Sequence, residues 1–248
     1  MSACAAEVRG WSLLALTGLL LWVNAANAQE SQAEKYRESA DMKLTAVSVK
    51  YLPDLELLVF EQKVRGAAGK TKPTPAGQLN GAPVLAYVFR TTLKATDVGF
   101  GEVEGLVALV VTVHPDFDDT PLWDENGDGV YDNDGNTYHT HWVVLEEHSR
   151  APAKLAVKAW KKGEKAPPTH PGMPLYLDSP GFTVVLQQET LRVLVPAWRI
   201  GGRTDFRFDG VTAYLQVSQE PDAPMLGVHA IYSTITGEGV AAFEVQKP

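Results

Sequence analysis

Residues 106–145 read LVALVVTVHPDFDDTPLWDENGDGVYDNDGNTYHTHWVVL. The first eight, LVALVVTV, are apolar at nearly every position, so a strand built from them buries both faces and lies centrally in a sheet. The last seven, HTHWVVL, open a second strand of β-branched and aromatic character. Between them, Pro115 to Asn136 is crowded with Asp, Asn and Gly and has neither strand nor helix periodicity, which predicts a long loop.

Working outward, the same strand character recurs in KLTAVSVKYL, ELLVFEQKV, VLAYVFRTTL, KLAVKAW, FTVVLQQ, LRVLVPAW, DFRFDGVTAYLQV, LGVHAIYS and AAFEV, each bounded by turn residues. About ten short strands with no helical stripe predict an all-β fold. The pattern points to one antiparallel β-sandwich, immunoglobulin-like or jelly-roll, carrying a long acidic metal-binding loop. Two proline-bearing breaks, 65–83 and 161–174, read as surface loops within a single domain spanning 42–248.

Arg9 precedes the apolar run WSLLALTGLLLWV, which is short for a bilayer span and ends in Ala26-Asn27-Ala28, a small-x-small cleavage pattern. Residues 1–28 therefore read as a signal peptide cleaved after Ala28, with 29–41 a polar leader that is helical or disordered. The expected location is periplasmic or secreted. The sole cysteine, Cys4, would leave with the signal, so no disulfide would hold the mature chain. No later stretch predicts a membrane span, and with a net charge of −8 no basic patch predicts nucleic-acid binding.

The loop carries Asp116, Asp118, Asp119, Asp124, Glu125, Asp128, Asp132 and Asp134 and no Lys or Arg. Acids this dense repel one another unless cations or water compensate them. From Asp124 the spacing is D-x-N-x-D-G-x-x-D-x-D-G, in which alternate oxygen donors converge and glycine permits a sharp turn. This dozen resembles the calcium loops of EF-hand, dockerin and thrombospondin type 3 repeats. The resemblance implies side-chain ligands Asp124, Asn126 and Asp128, a backbone carbonyl from Val130, and Asp132 directly or through water. Gly135 stands where an EF-hand has a bidentate Glu, so Asp134 or one of Asp116, Asp118 and Asp119 would close the shell. The alternative is a solvated acidic loop.

Histidines frame the same loop. His139 and His141, two apart on a strand, share a face, and in a hairpin of odd-sum register His114 joins that face. Three imidazoles so placed suit zinc, with the fourth position taken by water or a residue such as Asp116. Alternatively, each imidazole hydrogen-bonds a loop carboxylate. Tyr138, Trp142, Trp123 and Tyr131 lie in or beside the loop, as core residues or as a sugar-stacking platform.

The runs HPDFDDTPLWDENGDGVYDNDG, YHTHWVVL, PGMPLYLDSPGF and FDGVTAYLQV resemble an uncharacterised family of exported bacterial proteins, some associated with zinc limitation. That resemblance implies metal handling and assigns no residue a role. Mature-chain nucleophile elbows, catalytic cysteines, H-E-x-x-H and phosphate-binding loops are absent. The leading reading is an exported calcium-binding protein with an adjacent zinc site, acting in binding or metal handling. A calcium-stabilised module for a glycan or cell-surface ligand is the second reading. The third is a zinc hydrolase using Glu146 or Glu147 as proton acceptor.

Overall fold

The structure, a computed structural model, describes residues 32–120, 124–125, 127–130, 135–237 and 242–248. Residues 1–28, read from sequence as a signal peptide, lie outside the described residues. Two antiparallel strands, β1 (Leu44–Leu52) and β2 (Leu57–Val64), open the β structure. Then come β3 (Pro83–Thr91), β4 (Leu106–Val113), β5 (His139–Glu147), β6 (Leu155–Val157) and the two-residue β7 (Leu177–Asp178). The hairpin β8 (Thr183–Gln187) and β9 (Thr190–Pro196) precedes β10 (Arg207–Val217), β11 (Leu226–Thr234) and β12 (Phe243–Glu244). Each predicted segment overlaps one of these strands, and the two-residue β7 lies in none of them.

The strands form two bodies. β1, β2, β9 and β8 make a four-stranded sheet in that order. In the other, β11-β6-β5-β4-β3-β10 is a continuous path, and β10 also pairs with β11 along Val217↔Leu226 to Val211↔Thr234. That last pairing joins the two ends of the path, so six strands close into a barrel. The open immunoglobulin-like or jelly-roll sandwich expected from sequence is thereby corrected. Closure is achieved at two places. β10 and β11 shift register at Thr212/Ala213 and Tyr214/Leu215, irregularities that bend and twist a strand pair enough to turn a corner. The three-residue β6 bridges the remaining gap, pairing with β5 on one side and with β11 through Ala156↔Gly227 on the other.

The four-stranded sheet covers one flank of the barrel. Phe60 of β2 packs edge-on against Phe89 of β3 and Trp142 of β5, with ring centroids 5.3 and 6.2 Å apart. Gly210 marks the tightest approach: a Cβ there would lie 2.9 Å from the Val47 Cβ of β1. Alternate residues of β3, β4 and β5 thus face two different cores. Leu85, Tyr87, Leu109, Val111 and Trp142 meet the covering sheet, and Ala86, Val88, Val110, Val143 and Leu145 face the barrel interior. This is why LVALVVTV is apolar on both faces. Within the leader, residues 32–37 are helical, Tyr36 stacks on Tyr214, and Tyr232 Oη donates to the Ala33 carbonyl.

Candidate metal centre

β4 and β5 pair with Thr112 opposite His139 and Val110 opposite His141, an odd-sum register. Opposed residues share a face, so His139 and His141 point into the barrel. His114, one residue past β4, continues the inward set Val110 and Thr112. Extending the register puts Thr137, not a histidine, opposite His114, which therefore reaches its partners diagonally. The imidazoles meet nonetheless: ligand atoms of His114, His139, His141 and Asp119 all lie within 4.8 Å of one another. All four residues are buried, none more than 5% exposed.

The outer nitrogen of each ring is occupied. His114 Nδ1 lies 2.9 Å from the Phe117 carbonyl and His139 Nδ1 2.8 Å from that of Thr137. A carbonyl only accepts, so both Nδ1 atoms carry the proton. His141 Nδ1 sits 3.1 Å from Ser179 Oγ, whose own hydrogen goes to the Asp119 carbonyl at 2.7 Å, so this Nδ1 donates as well. The short β7, pairing Trp142↔Asp178, is what brings Ser179 there. In neutral rings these bonds direct three Nε2 lone pairs inward, the tautomer that metal-ligating histidines adopt.

Asp119 faces those lone pairs. Its Oδ1 is 3.3 Å from both His114 Nε2 and His139 Nε2, and its Oδ2 is 3.4 Å from His141 Nε2. His114 Nε2 and His139 Nε2 are 2.8 Å apart. A tetrahedron with zinc bonds of about 2.0–2.1 Å has edges of about 3.3–3.4 Å. The two separations from Asp119 Oδ1 match that edge, the His114–His139 pair needs a modest outward adjustment, and His141 faces the other Asp119 oxygen. Asp119 Oδ1 and His141 Nε2 are, besides, buried atoms without a hydrogen-bond partner. The group can hold a metal ion.

Asp119 is turned inward by its neighbours: Thr120 N–H donates to Asp118 Oδ1 at 2.8 Å, tightening the chain around Asp119. Glu125 stands behind His139, with Oε1 3.0 Å from Nδ1 and its side chain 1% exposed. Gly135 N–H donates to the other Glu125 oxygen at 2.8 Å, and His114 N–H donates to the Gly135 carbonyl at 2.8 Å. Phe117 stacks flat on His114, centroids 4.1 Å apart.

Charge follows from this packing. Burial opposes ionisation of Asp119, but the surrounding His141, His114 and His139 hold its carboxyl well below the usual range. Burial likewise opposes charge on Glu125, and His139 with the Gly135 amide lowers it. Without an ion, burial alone would depress His139, yet Asp119 and Glu125 outweigh it and lift the ring to about 10. Burial, aided by the neighbouring His139 and His114 and only partly opposed by Asp119, pushes His141 down to about 4.

The other predicted site residues are dispersed. Asp116, the suggested fourth zinc ligand, instead accepts from Ala76 and Gly77 N–H at 3.0 and 2.8 Å, and Asp119 takes the place beside the histidines. Asp124 accepts from Gly127, Asp128 and Gly129 N–H, and Asp128 from Val130 N–H. Val130 is exposed. Asn126, Asp132 and Asp134 lie outside the described residues, as do Trp123 and Tyr131. Tyr138 and Trp142 are core residues. Glu146 pairs with Lys158 at 2.8 Å, seven residues along β5 from His139 or roughly 23 Å of strand, and Glu147 lies one residue beyond. Sequence reasoning did not single out Glu125 or Ser179, and it offered Asp119 only to calcium. The chain matches no family model, no curated protein and no solved structure.

Proposed function

We propose that the protein is an exported metal-binding barrel that holds one zinc ion through His114, His139, His141 and Asp119. The observation that carries this reading is the convergence of three imidazoles and one buried carboxylate, their ligand atoms within 4.8 Å of one another and two separations at the tetrahedral edge length, with every Nδ1 already engaged elsewhere. Three imidazoles and a carboxylate are ligands that zinc accepts, and tetrahedral geometry suits its filled d shell. Charge supports a divalent ion. Neutral imidazoles with ionised Asp119 and Glu125 bury two negative charges, and one divalent cation cancels them. Four protein ligands complete a tetrahedron without a water, which favours holding or handing on the ion over hydrolysis.

The test is metal analysis of the mature protein, stripped with chelator and reloaded. One zinc per chain is expected, lost in His139→Ala and Asp119→Ala. Failure of the stripped, folded protein to take up zinc at neutral pH would sink the reading. The calcium loop at Asp124, Asn126, Asp128, Val130, Asp132 and Asp134 belongs to the same proposal as a second ion. Its support is the pair of left-handed glycines, Gly127 and Gly129 at φ 74° and 81°, which turn the chain as a calcium loop requires.

A further inference from the structure

The metal centre occupies one end of the barrel interior, and the rest of that interior is not filled. A cavity of about 230 Å³ runs beneath the centre, with His114, Asp119 and His141 in its wall. The remaining wall is mostly aliphatic, dominated by Val, Leu, Ala and Met side chains. Protein interiors normally leave no void much larger than a water molecule. An engineered aliphatic cavity of about 150 Å³ stays dry and binds benzene, so one of this size and lining is a binding site for something larger than a single ring.

Two small residues hold the space open. Ala86 of β3 and Ala213 of β10 are paired across adjacent strands and both face the cavity. A Val or Leu at either position would intrude into it. Leu106, Phe117, Leu155, Met173, Met225 and Ile231 are the wall's partly exposed apolar members, and the two flexible thioethers make that part of the wall adaptable.

The wall also specifies charge. Its polar side chains are Arg90, Thr112, His114, Asp119 and His141. Arg90 Nη2 is paired with the buried Asp209 at 2.5 Å, so that pair is neutral. The metal centre, with one divalent ion against Asp119 and Glu125, is neutral as well. An anionic or cationic occupant would meet no counter-charge in this wall and would forfeit its hydration.

We propose that the barrel interior is a ligand site for a compact, uncharged apolar molecule, of the size of a bicyclic hydrocarbon, seated against His141 and Asp119 of the metal centre. Contact with the ion and the neutrality of the occupant rest on the zinc reading above; the cavity itself does not.

The experiment is a ¹⁹F NMR titration of 1-fluoronaphthalene into protein loaded with Zn²⁺, loaded with Co²⁺, or metal-free, with octanoate as the charged comparison. Saturable binding of one equivalent is expected, weakened at least tenfold in Ala213→Leu while that variant still takes up one zinc. Ala213→Val serves as the milder variant if leucine prevents folding. Co²⁺ in place of Zn²⁺ should shift and broaden the bound resonance, because the probe lies beside the paramagnetic ion. No saturable binding to folded protein, or binding unchanged in the filled variants, overturns the cavity site. Octanoate binding as tightly as the probe overturns the uncharged class, and a bound resonance indifferent to Co²⁺ overturns the seat against the metal. If neither metal is taken up, the zinc reading fails alone, and the metal-free titration still decides the cavity.

Discussion

Gly135→Ala tests how the metal centre is built more sharply than removal of a ligand. Gly135 has φ 98°, and a Cβ there would lie 2.3 Å from the Phe117 carbonyl oxygen, 2.5 Å from the His114 carbonyl oxygen and 2.9 Å from His114 Nδ1. Ordinary contact begins at 3.4 Å, so both carbonyls must retreat by about 1 Å, and neither is the free end of a side chain. The Phe117 carbonyl is the acceptor that orients His114 at 2.9 Å, and that bond does not survive such a shift. An unfavourable φ costs roughly 1–3 kcal/mol and the lost hydrogen bond about 1 kcal/mol. The sum, about 3 kcal/mol, should lower Tm by roughly 6–12 °C for a chain of this size. Zinc affinity should fall about 10–100-fold, as it does when the partner orienting a ligating histidine is lost. Scanning calorimetry of the metal-free protein and a zinc competition titration measure the two effects. The control is Gly129→Ala, with φ 81° but nothing within 4 Å of the added carbon. It should lose only the backbone term and leave zinc affinity unchanged. Wild-type zinc binding in Gly135→Ala, or equal damage from Gly129→Ala, would refute the account.

Asp119→Asn should weaken zinc by more than the 10–100-fold typical of an outer partner, because it removes both a ligand and a charge; equal affinity in competition titration would remove Asp119 from the shell. Zinc binding at neutral pH should release about one proton, since His139, lifted to about 10 in the metal-free centre, must give up its proton to ligate; calorimetry in buffers of different ionisation enthalpy counts it. The metal-free fold should also show opposed pH dependences. The raised His139 stabilises below the free-histidine pKa of about 6.5 and loses that stabilisation as pH climbs through 10, whereas the depressed His141 holds stability above about 6.5 and loses it as pH falls toward 4. Denaturant melts from pH 4 to 10 on chelated protein should trace both limbs, and a monotonic profile would contradict the pair. For the acidic loop, calcium should raise Tm and the Asp124→Ala, Asp128→Ala double variant should abolish the rise, with Mg²⁺ a poor substitute; identical melting with calcium and chelator would end that reading.

The strands were legible because each carries its own period and composition, and the shared face of His114, His139 and His141 followed from the parity of a hairpin register. Closure was not legible. It depends on the Ala156↔Gly227 bridge and on register shifts in β10 and β11, and neither partner choice nor bulge position is written in a two-residue alternation. A trace of it was present in LVALVVTV, since a strand apolar on both faces needs a third layer that a two-sheet sandwich lacks. Asp119 was hidden among eight acids. What separates it from Asp116 and Asp118 is the turn at Thr120, which directs its side chain inward while its neighbours bond backbone amides. Ser179 lies 38 residues beyond His141, joined to it only through the two-residue β7.

The distribution of those acids changes what their density means. Asp116 caps the amides of Ala76 and Gly77, Asp118 that of Thr120, and Asp124 three amides of its own turn. Asp119 and Glu125 are drawn into the barrel beside histidines. A single ion therefore does not account for the acid-rich composition, because six of the eight carboxylates, Asp128 with the Val130 amide among them, already have distinct partners. Burial is what distinguishes Asp119 and Glu125 from the rest. An exposed carboxylate bonded to loop amides keeps most of its hydration, whereas a buried one must be neutralised or lose several kcal/mol. Metal-free, the pair is compensated by a proton on His139, which leaves one negative charge uncancelled within the histidine cluster. A divalent ion replaces that proton and supplies the missing charge, so the centre should discriminate against monovalent cations on charge alone, before ligand geometry selects among the divalent ones.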